Sequence, residues 1–235
     1  MSLRHWLQTR QPDLLGIIRL AKLEWELQSV RLLSRFSPSQ IRLRRKLGKA
    51  RGLKIHLACG PNRVPGWVNI DGTPSADLRV DLRSRIPLPS GSAACIFTEH
   101  FIDHLQHPDS VGALLRECHR LLQPGGTMRI VVHDAELLMR AYVSKDTAFF
   151  SSVIENCALP LDPATLPVEV INGVFRFNGF HKFIYDFDTL EQVLRRAGFS
   201  VVQRSSFRRS LMPECNLDLD LPDREPQSLY VDAVK

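Results

Sequence analysis

The stretch Leu53–Gly72, LKIHLACGPNRVPGWVNIDG, limits what this chain can fold into more than any other. Leu53, Ile55, Leu57 and Ala58 form an apolar run that stops at Cys59-Gly60-Pro61. A second run, Trp67-Val68-Asn69-Ile70, stops at Asp71. Strand, glycine turn, strand and carboxylate follow in that order. Glycine lets the backbone approach a ligand, and a carboxylate at a strand end accepts hydrogen bonds from two ribose hydroxyls. The layout is that of a nucleoside site in a doubly wound sheet.

The rest of the chain continues the alternation. Asp77–Asp81 reads as a short strand, and Ala93–Thr98 as a buried strand followed by Glu99-His100. Asp109–Leu122 has helical periodicity, with Asp109 or Ser110 as the cap and Pro124-Gly125-Gly126 as the stop. Met128–Val132 is a further buried strand, ending at His133-Asp134. Asp188–Ala197 is a helix closed by Gly198, and Phe199–Val202 with Ser228–Val234 make a final strand pair. Strands alternating with helices predict an α/β sandwich with a mainly parallel sheet. Ligands of such sheets sit beyond the carboxyl ends of the strands, which here carry Gly60, Asp71, Asp81, Glu99, His100, His133 and Asp134.

Charge divides the chain. Residues 1–54 hold 13 Lys/Arg against 3 Asp/Glu, whereas the remainder holds more acids than bases. A basic extension, 1–52, therefore precedes a mildly acidic domain, 53–235. Pro12 opens a helix that runs to Ser37-Pro38, with Leu14, Ile18, Trp25 and Leu32 on one face and Leu15, Leu23, Leu27 and Val30 flanking it. The stretch Ile41–Lys49 that follows is basic with apolar teeth. The extension packs on the domain, lies on an anionic membrane face, meets a partner protein, or touches nucleic acid phosphates. Nucleic acid is the least favoured of these, because no aromatic residues are interleaved for base stacking. No apolar run approaches the roughly 18 residues of a membrane span, and the N-terminus lacks the apolar core of a signal peptide. The five cysteines (Cys59, Cys95, Cys118, Cys157, Cys215) form no C-x-x-C pair, so neither a disulfide framework nor a zinc site is expected. The expected location is the cytoplasm, or the inner membrane face.

The motifs resemble those of class I S-adenosylmethionine (SAM)-dependent methyltransferases. The similarity is greatest to the small bacterial, type 11-like branch with a C-G…G-W-x-N-x-D signature, here Cys59-Gly60 and Gly66-Trp67-Val68-Asn69-Ile70-Asp71. Ile86–Ser92, Thr98-Glu99-His100 with Asp103-His104-Leu105, Leu121–Thr127 and His181–Asp186 with Ala197-Gly198-Phe199 match further blocks in order. The resemblance implies a Rossmann-like sheet of seven strands, the seventh antiparallel, with SAM as cofactor. It implies that Ala58, Cys59 and Gly60 shape the turn under the methionine part and that Asp71 binds the ribose. Asp81 and Leu82 would sit at the adenine, and Glu99 with His100 would face the sulfonium or the acceptor. The chain departs from the usual pattern: His56 and Ala58 replace the acidic residue and first glycine of the loop, and Ala93-Ala94 replaces an aspartate. Asp71 also follows Gly60 by only 11 residues, where about 20 is usual, so the first crossover helix must be very short.

A sulfonium methyl is already activated, and alignment alone can supply about 7–11 kcal/mol of the barrier. If the acceptor is a hydroxyl or amine, a histidine can take its proton, and His100, His133 and His181 are the candidates. His104 is expected to pack or cap, and no spacing indicates a metal. Residues 145–187 are long for a connection and read as a substrate cap; Phe149, Phe150, Phe175, Phe177 and Phe180 either wall the acceptor or form the cap's own core. The acceptor is expected to be a small molecule or a saccharide, with polysaccharide biosynthesis favoured by the resemblance. RNA methylation through the basic extension and a non-catalytic SAM-binding module are the alternatives.

Overall fold

The computed structural model describes residues 12–156, 165–221 and 225–235. Cys157 and the first 11 residues lie outside them. Two helices open the described chain, α1 (Pro12–Leu33) and α2 (Pro38–Leu47). The first expected helix thus ends a turn early, and the basic stretch after it is a second helix begun by Pro38. Its Gln40 side chain donates to the Asp77 carbonyl and accepts from the Arg79 N–H, and Leu47 is buried in the main core.

Seven strands form one sheet: β1 (Leu53–Leu57), β2 (Val68–Asp71), β3 (Leu78–Arg79), β4 (Ala93–Glu99), β5 (Leu122–His133), β6 (Val201–Arg204) and β7 (Ser228–Val234). Their spatial order is β3-β2-β1-β4-β5-β7-β6. All pairs from β3 through β5 are parallel, whereas β7 runs antiparallel to both β5 and β6. The strand order reverses beside β1, with β2 on one side and β4 on the other, and ligand crevices form at such a switch point.

The remaining helices are α3 (Asp109–Leu121), α4 (Ala135–Val143), α5 (Thr147–Asn156), α6 (Pro167–Arg176) and α7 (Phe187–Ala197). Val111, Leu114, Leu115, Cys118 and Leu121 of α3 meet Leu190, Val193 and Leu194 of α7 in one core with Ile55, Ile96 and Ile130 of the sheet. Burying each such aliphatic side chain contributes about 1.5–3 kcal/mol. Neither Asp109 nor Ser110 caps α3: Pro108 precedes it with no side-chain bond, and the chain turns straight from Leu121 into β5, whose first residues include the expected stop Pro124-Gly125-Gly126. Gly198 does close α7, with the positive φ of 107° that an L side chain rarely adopts. No helix stands between β1 and β2; residues 58–67 make the crossover by turns alone, so the expected short helix is absent.

The second face of the sheet buries Phe97, Val131 and Tyr230 under Trp67, Phe207 and Leu217. Among the described residues, no helix is long and apolar enough to cross a membrane.

Candidate active site

The turn after β1 is built by its backbone. Ala58 and Gly60 both have positive φ, 55° and 49°. The strain at Ala58 is held by its N–H, which donates to Ile70 O at 2.8 Å. A side chain at Gly60 would meet nothing within 4 Å, so the glycine answers to conformation and leaves open space above the turn. Asp71 ends β2 half-buried. Its Oδ2 accepts from the Gly60 N–H at 3.0 Å and its Oδ1 from the Thr73 N–H at 2.8 Å. Each oxygen keeps further acceptor capacity, so the carboxylate is oriented and still able to take two hydroxyls. Asn69 explains its place in the motif. Its amide bonds both Val64 O and Asp77 Oδ2, pinning the crossover to the β3 approach. Cys59 is buried in this turn, and burial pushes its thiol up to about 11, which suits packing and not nucleophilic attack.

Above the β2 and β3 exits lies a cavity of about 660 Å³, within the range of small-molecule sites. Asp71, Gly72, Val80, Asp81 and Leu82 form its floor, and Ile17, Leu20, Ala21, Glu24 and Leu27 of α1 form its roof. Leu27 Cδ2 stands 2.8 Å from where a Cβ of Gly72 would be, so only glycine admits the helix so close. Asp81, the expected adenine contact, is almost fully buried. Its carboxylate pairs with Arg31 Nε at 2.7 Å and with Arg83 at 2.9 and 3.0 Å. Arg83 also reaches Glu24 at 2.7 Å, completing a clamp that holds α1 over the cavity. Any adenine contact at Asp81 is therefore shared with two guanidinium groups. Burial alone would raise the Asp81 carboxyl, but the Arg83 hydrogen bonds and the charges of Arg83 and Arg31 outweigh it and leave it lowered. Glu99 accepts from the Leu219 N–H at 3.3 Å, a link to the segment covering the second face.

The other end of the cavity reaches Phe101, His104, Phe180 and Lys182. There the strand exits and the long insertion bring four imidazoles together. His100, with φ 47°, places Nε2 2.9 Å from Ser228 Oγ. Its ring lies 4.3 Å from that of His133, which lies 5.1 Å from His181, which lies 4.9 Å from His104. Asp103, fully buried in the turn after β4, faces His181 at 3.8 Å and His104 at 3.9 Å. All three expected histidines thus converge, and two residues are added that sequence reasoning did not place in the site, Asp103 and His104. The signal for them was the His-x-x-Asp-His run from His100 to His104. Burial and the neighbouring His181 push the His104 imidazole down to about 4, keeping it neutral. His107 instead stacks on Phe183, and His119 packs against Phe199. Asp134 caps α4, accepting from the Glu136 and Leu137 N–H groups.

Residues 177–182 form part of this wall. Leu138, Phe150, Val153, Val170 and Val174 make a separate small core, with Phe149 and Phe175 against it, so these phenylalanines serve the insertion itself. Phe177 stacks on His181 at 4.9 Å, and Phe180 lines the cavity.

A family model described as a methyltransferase domain matches residues 20–204. No curated protein matches. Among solved structures, the chain is similar to a SAM-dependent methyltransferase from Archaeoglobus fulgidus, with 16% identity and a TM-score of 0.44 over 83% of this chain and 92% of that one. A SAM-dependent methyltransferase from Thermotoga maritima, described as a possible histamine N-methyltransferase, gives 17% identity and a TM-score of 0.47 over 92% and 95%. One from Mesorhizobium loti gives 17% and 0.44 over 83% and 96%.

Proposed function

The chain belongs to the methyltransferase family that its residues 20–204 match, and from that membership we propose that it methylates a hydroxyl or amine of a small molecule or saccharide, a glycan hydroxyl being favoured. SAM is the methyl donor. When bound, it supplies a methyl group already activated on a sulfonium, whose sulfur keeps the electron pair as the methyl leaves. The observation that carries the reading is a cavity lined by both Asp71 and His104, the His104 ring standing 4.9 Å from that of His181, which lies 5.1 Å from that of His133.

In this reading Asp71 takes the two ribose hydroxyls, the Ala58–Gly60 turn passes under the methionine part, and Leu82 with the α1 roof encloses the adenine. Asp81 holds the roof in place and touches the adenine edge. Glu99 and His100 border the reacting centre. His133, between His100 and His181, accepts the proton that the acceptor loses as its heteroatom bonds the methyl carbon. His181 orients it from the insertion side. Phe177 and Phe180 offer aromatic faces against which the C–H face of a sugar can stack. Labelled SAM with a panel of sugar nucleotides, glycans and phenols tests this. An accepted substrate should lose about 100-fold or more in turnover with His133→Ala while SAM affinity is kept. Full turnover in folded His133→Ala, His100→Ala and His181→Ala would show that alignment alone drives transfer.

We also infer that residues 1–52 meet an anionic membrane surface. The stripe Leu14, Ile18, Trp25 and Leu32 points away from the cavity, with Trp25 75% exposed and Leu32 64%. Arg19, Lys22 and Arg35 of α1 and the turn after it, and Arg42, Arg45 and Lys46 of α2, are all exposed. Apolar residues with cations are the chemistry of an interfacial helix.

A further inference from the structure

The histidine cluster has more ligand chemistry than proton transfer needs. Two triads, His100/Asp103/His133 and Asp103/His104/His181, each bring one ligand atom per residue within 4.8 Å of the others, and they share Asp103. We propose that Asp103, His104 and His181 hold a divalent transition-metal ion at the inner end of the cavity.

Three observations carry this. The first is donor type: two imidazoles and one carboxylate are the ligands that zinc, iron, cobalt and nickel take at catalytic sites with open positions. The second is spacing. The Asp103 oxygens lie 3.8 Å from His181 Nε2 and 3.9 Å from His104 Nε2, too far for direct hydrogen bonds. Tetrahedral ligands at about 2.0–2.2 Å from a metal stand roughly 3.3–3.6 Å apart. The two separations, one from each Asp103 oxygen, exceed that by a few tenths of an ångström, and the three ligand atoms all lie within 4.8 Å of one another, so side-chain adjustment must bring them together. The third is orientation from behind. His181 Nδ1 hydrogen-bonds the Val174 carbonyl, which fixes the tautomer and leaves Nε2 directed at Asp103. Backbone carbonyls that hold the second ring nitrogen are the usual support of metal-ligating histidines. The Asp103 carbonyl accepts the Lys182 N–H at 2.7 Å, which locks the turn after β4 to the segment carrying His181. Asp103 and His181 are buried, while the His104 side chain is 31% exposed and lines the cavity, so an ion has an entry path from the cofactor side.

The role of the ion rests on the methyl-transfer reading: its open position takes the acceptor's oxygen or nitrogen, lowers the acidity barrier of its proton, and leaves His133 to receive it. Binding itself does not rest on that reading, and the test separates the two. The full chain, stripped with a chelator, is titrated with Co²⁺ and followed by visible absorption. The proposal expects one equivalent to bind with the d–d bands of a four- or five-coordinate ion. Asp103→Asn and His104→Gln, each checked for folding by its melting curve, should weaken binding by more than about tenfold. His119→Gln, whose ring lies against Phe199 away from the cluster, should bind as the wild type does. Absence of the bands, or equal Co²⁺ affinity in the folded Asp103→Asn and His104→Gln variants, overturns the site. Co²⁺ binding as expected with no methyl transfer to any acceptor would keep the site and remove the acceptor reading.

Discussion

Arg129 lies fully buried in β5, on the face opposite the main core. Its Nε donates to Asp218 Oδ1 at 2.7 Å, its Nη1 faces Asp232 at 3.5 Å, and its Nη2 donates to Ser206 O at 2.8 Å. One side chain thus ties the sheet to the 205–221 segment that packs on this face. Removing one partner of such a buried pair strands a charge, at a cost of about 3–5 kcal/mol. Urea unfolding of Asp218→Ala should show a loss of that size, and a change below about 1 kcal/mol would deny the network its structural role. At this scale the sequence is uneven to read. Asp71 and Gly60 could be put forward from sequence because a topological rule places ligands at strand ends, and the structure sets both at the β1 and β2 exits. The grouping of Asp103 and His104 with His181 was not legible, because a long insertion separates them in sequence and returns His181 to the same spot. Asp81 was visible as a strand-end carboxylate, but its arginine partners lie in α1 and the following turn, beyond the reach of local pattern.

Helix α1 is the element that most alters how the chain is understood. Its periodicity is clear in the sequence, yet it has apolar residues on two sides. The conspicuous stripe Leu14, Ile18, Trp25 and Leu32 faces outward, while Leu20, Leu27 and Val30 turn toward the domain. Periodicity shows that a helix is amphipathic and cannot say which apolar side finds a partner. The buried strands β1, β4 and β5 and the helices α3 and α7 were legible because their patterns are long and one-sided. α2 was hidden by its basic composition, and the β1–β2 crossover needed no helix at all. The clamp on α1 gives a pH prediction. Asp81 and Glu24 both titrate below their usual range: Asp81 because its arginine bonds outweigh burial, Glu24 through hydrogen bonds from Arg83 and Gln28. A carboxyl lowered on folding stabilises the fold above its unfolded pKa, near 4, and that stabilisation is lost as pH falls through the folded value. Asp81→Asn should therefore melt below the wild type at pH 7, by about 1–3 kcal/mol, and the gap should narrow by about pH 3. A gap unchanged across that interval would mean that the ion pairs do not hold the helix.

The whole molecule joins a basic, apolar-faced extension to a mildly acidic methyltransferase domain, and the extension supplies the roof of the cavity over the β2 exit as well as an outward surface. Co-sedimentation with vesicles tests the outward surface. The full chain should bind anionic vesicles at low salt and release at high salt, because screening shortens the reach of its cations, and should ignore neutral ones. Binding to RNA without binding to vesicles would assign the surface to nucleic acid instead. The central claim concerns the inward side: the cavity between α1 and the β2 exit holds SAM, with its ribose on Asp71. Calorimetric titration of the full chain with S-adenosylhomocysteine, the demethylated product, tests this most directly, alongside Asp71→Ala checked for folding. Two charge-assisted hydrogen bonds are lost in the variant, each worth about 1.5–3 kcal/mol, so saturable one-site binding should weaken by more than about tenfold. An unchanged dissociation constant in folded Asp71→Ala would contradict the account.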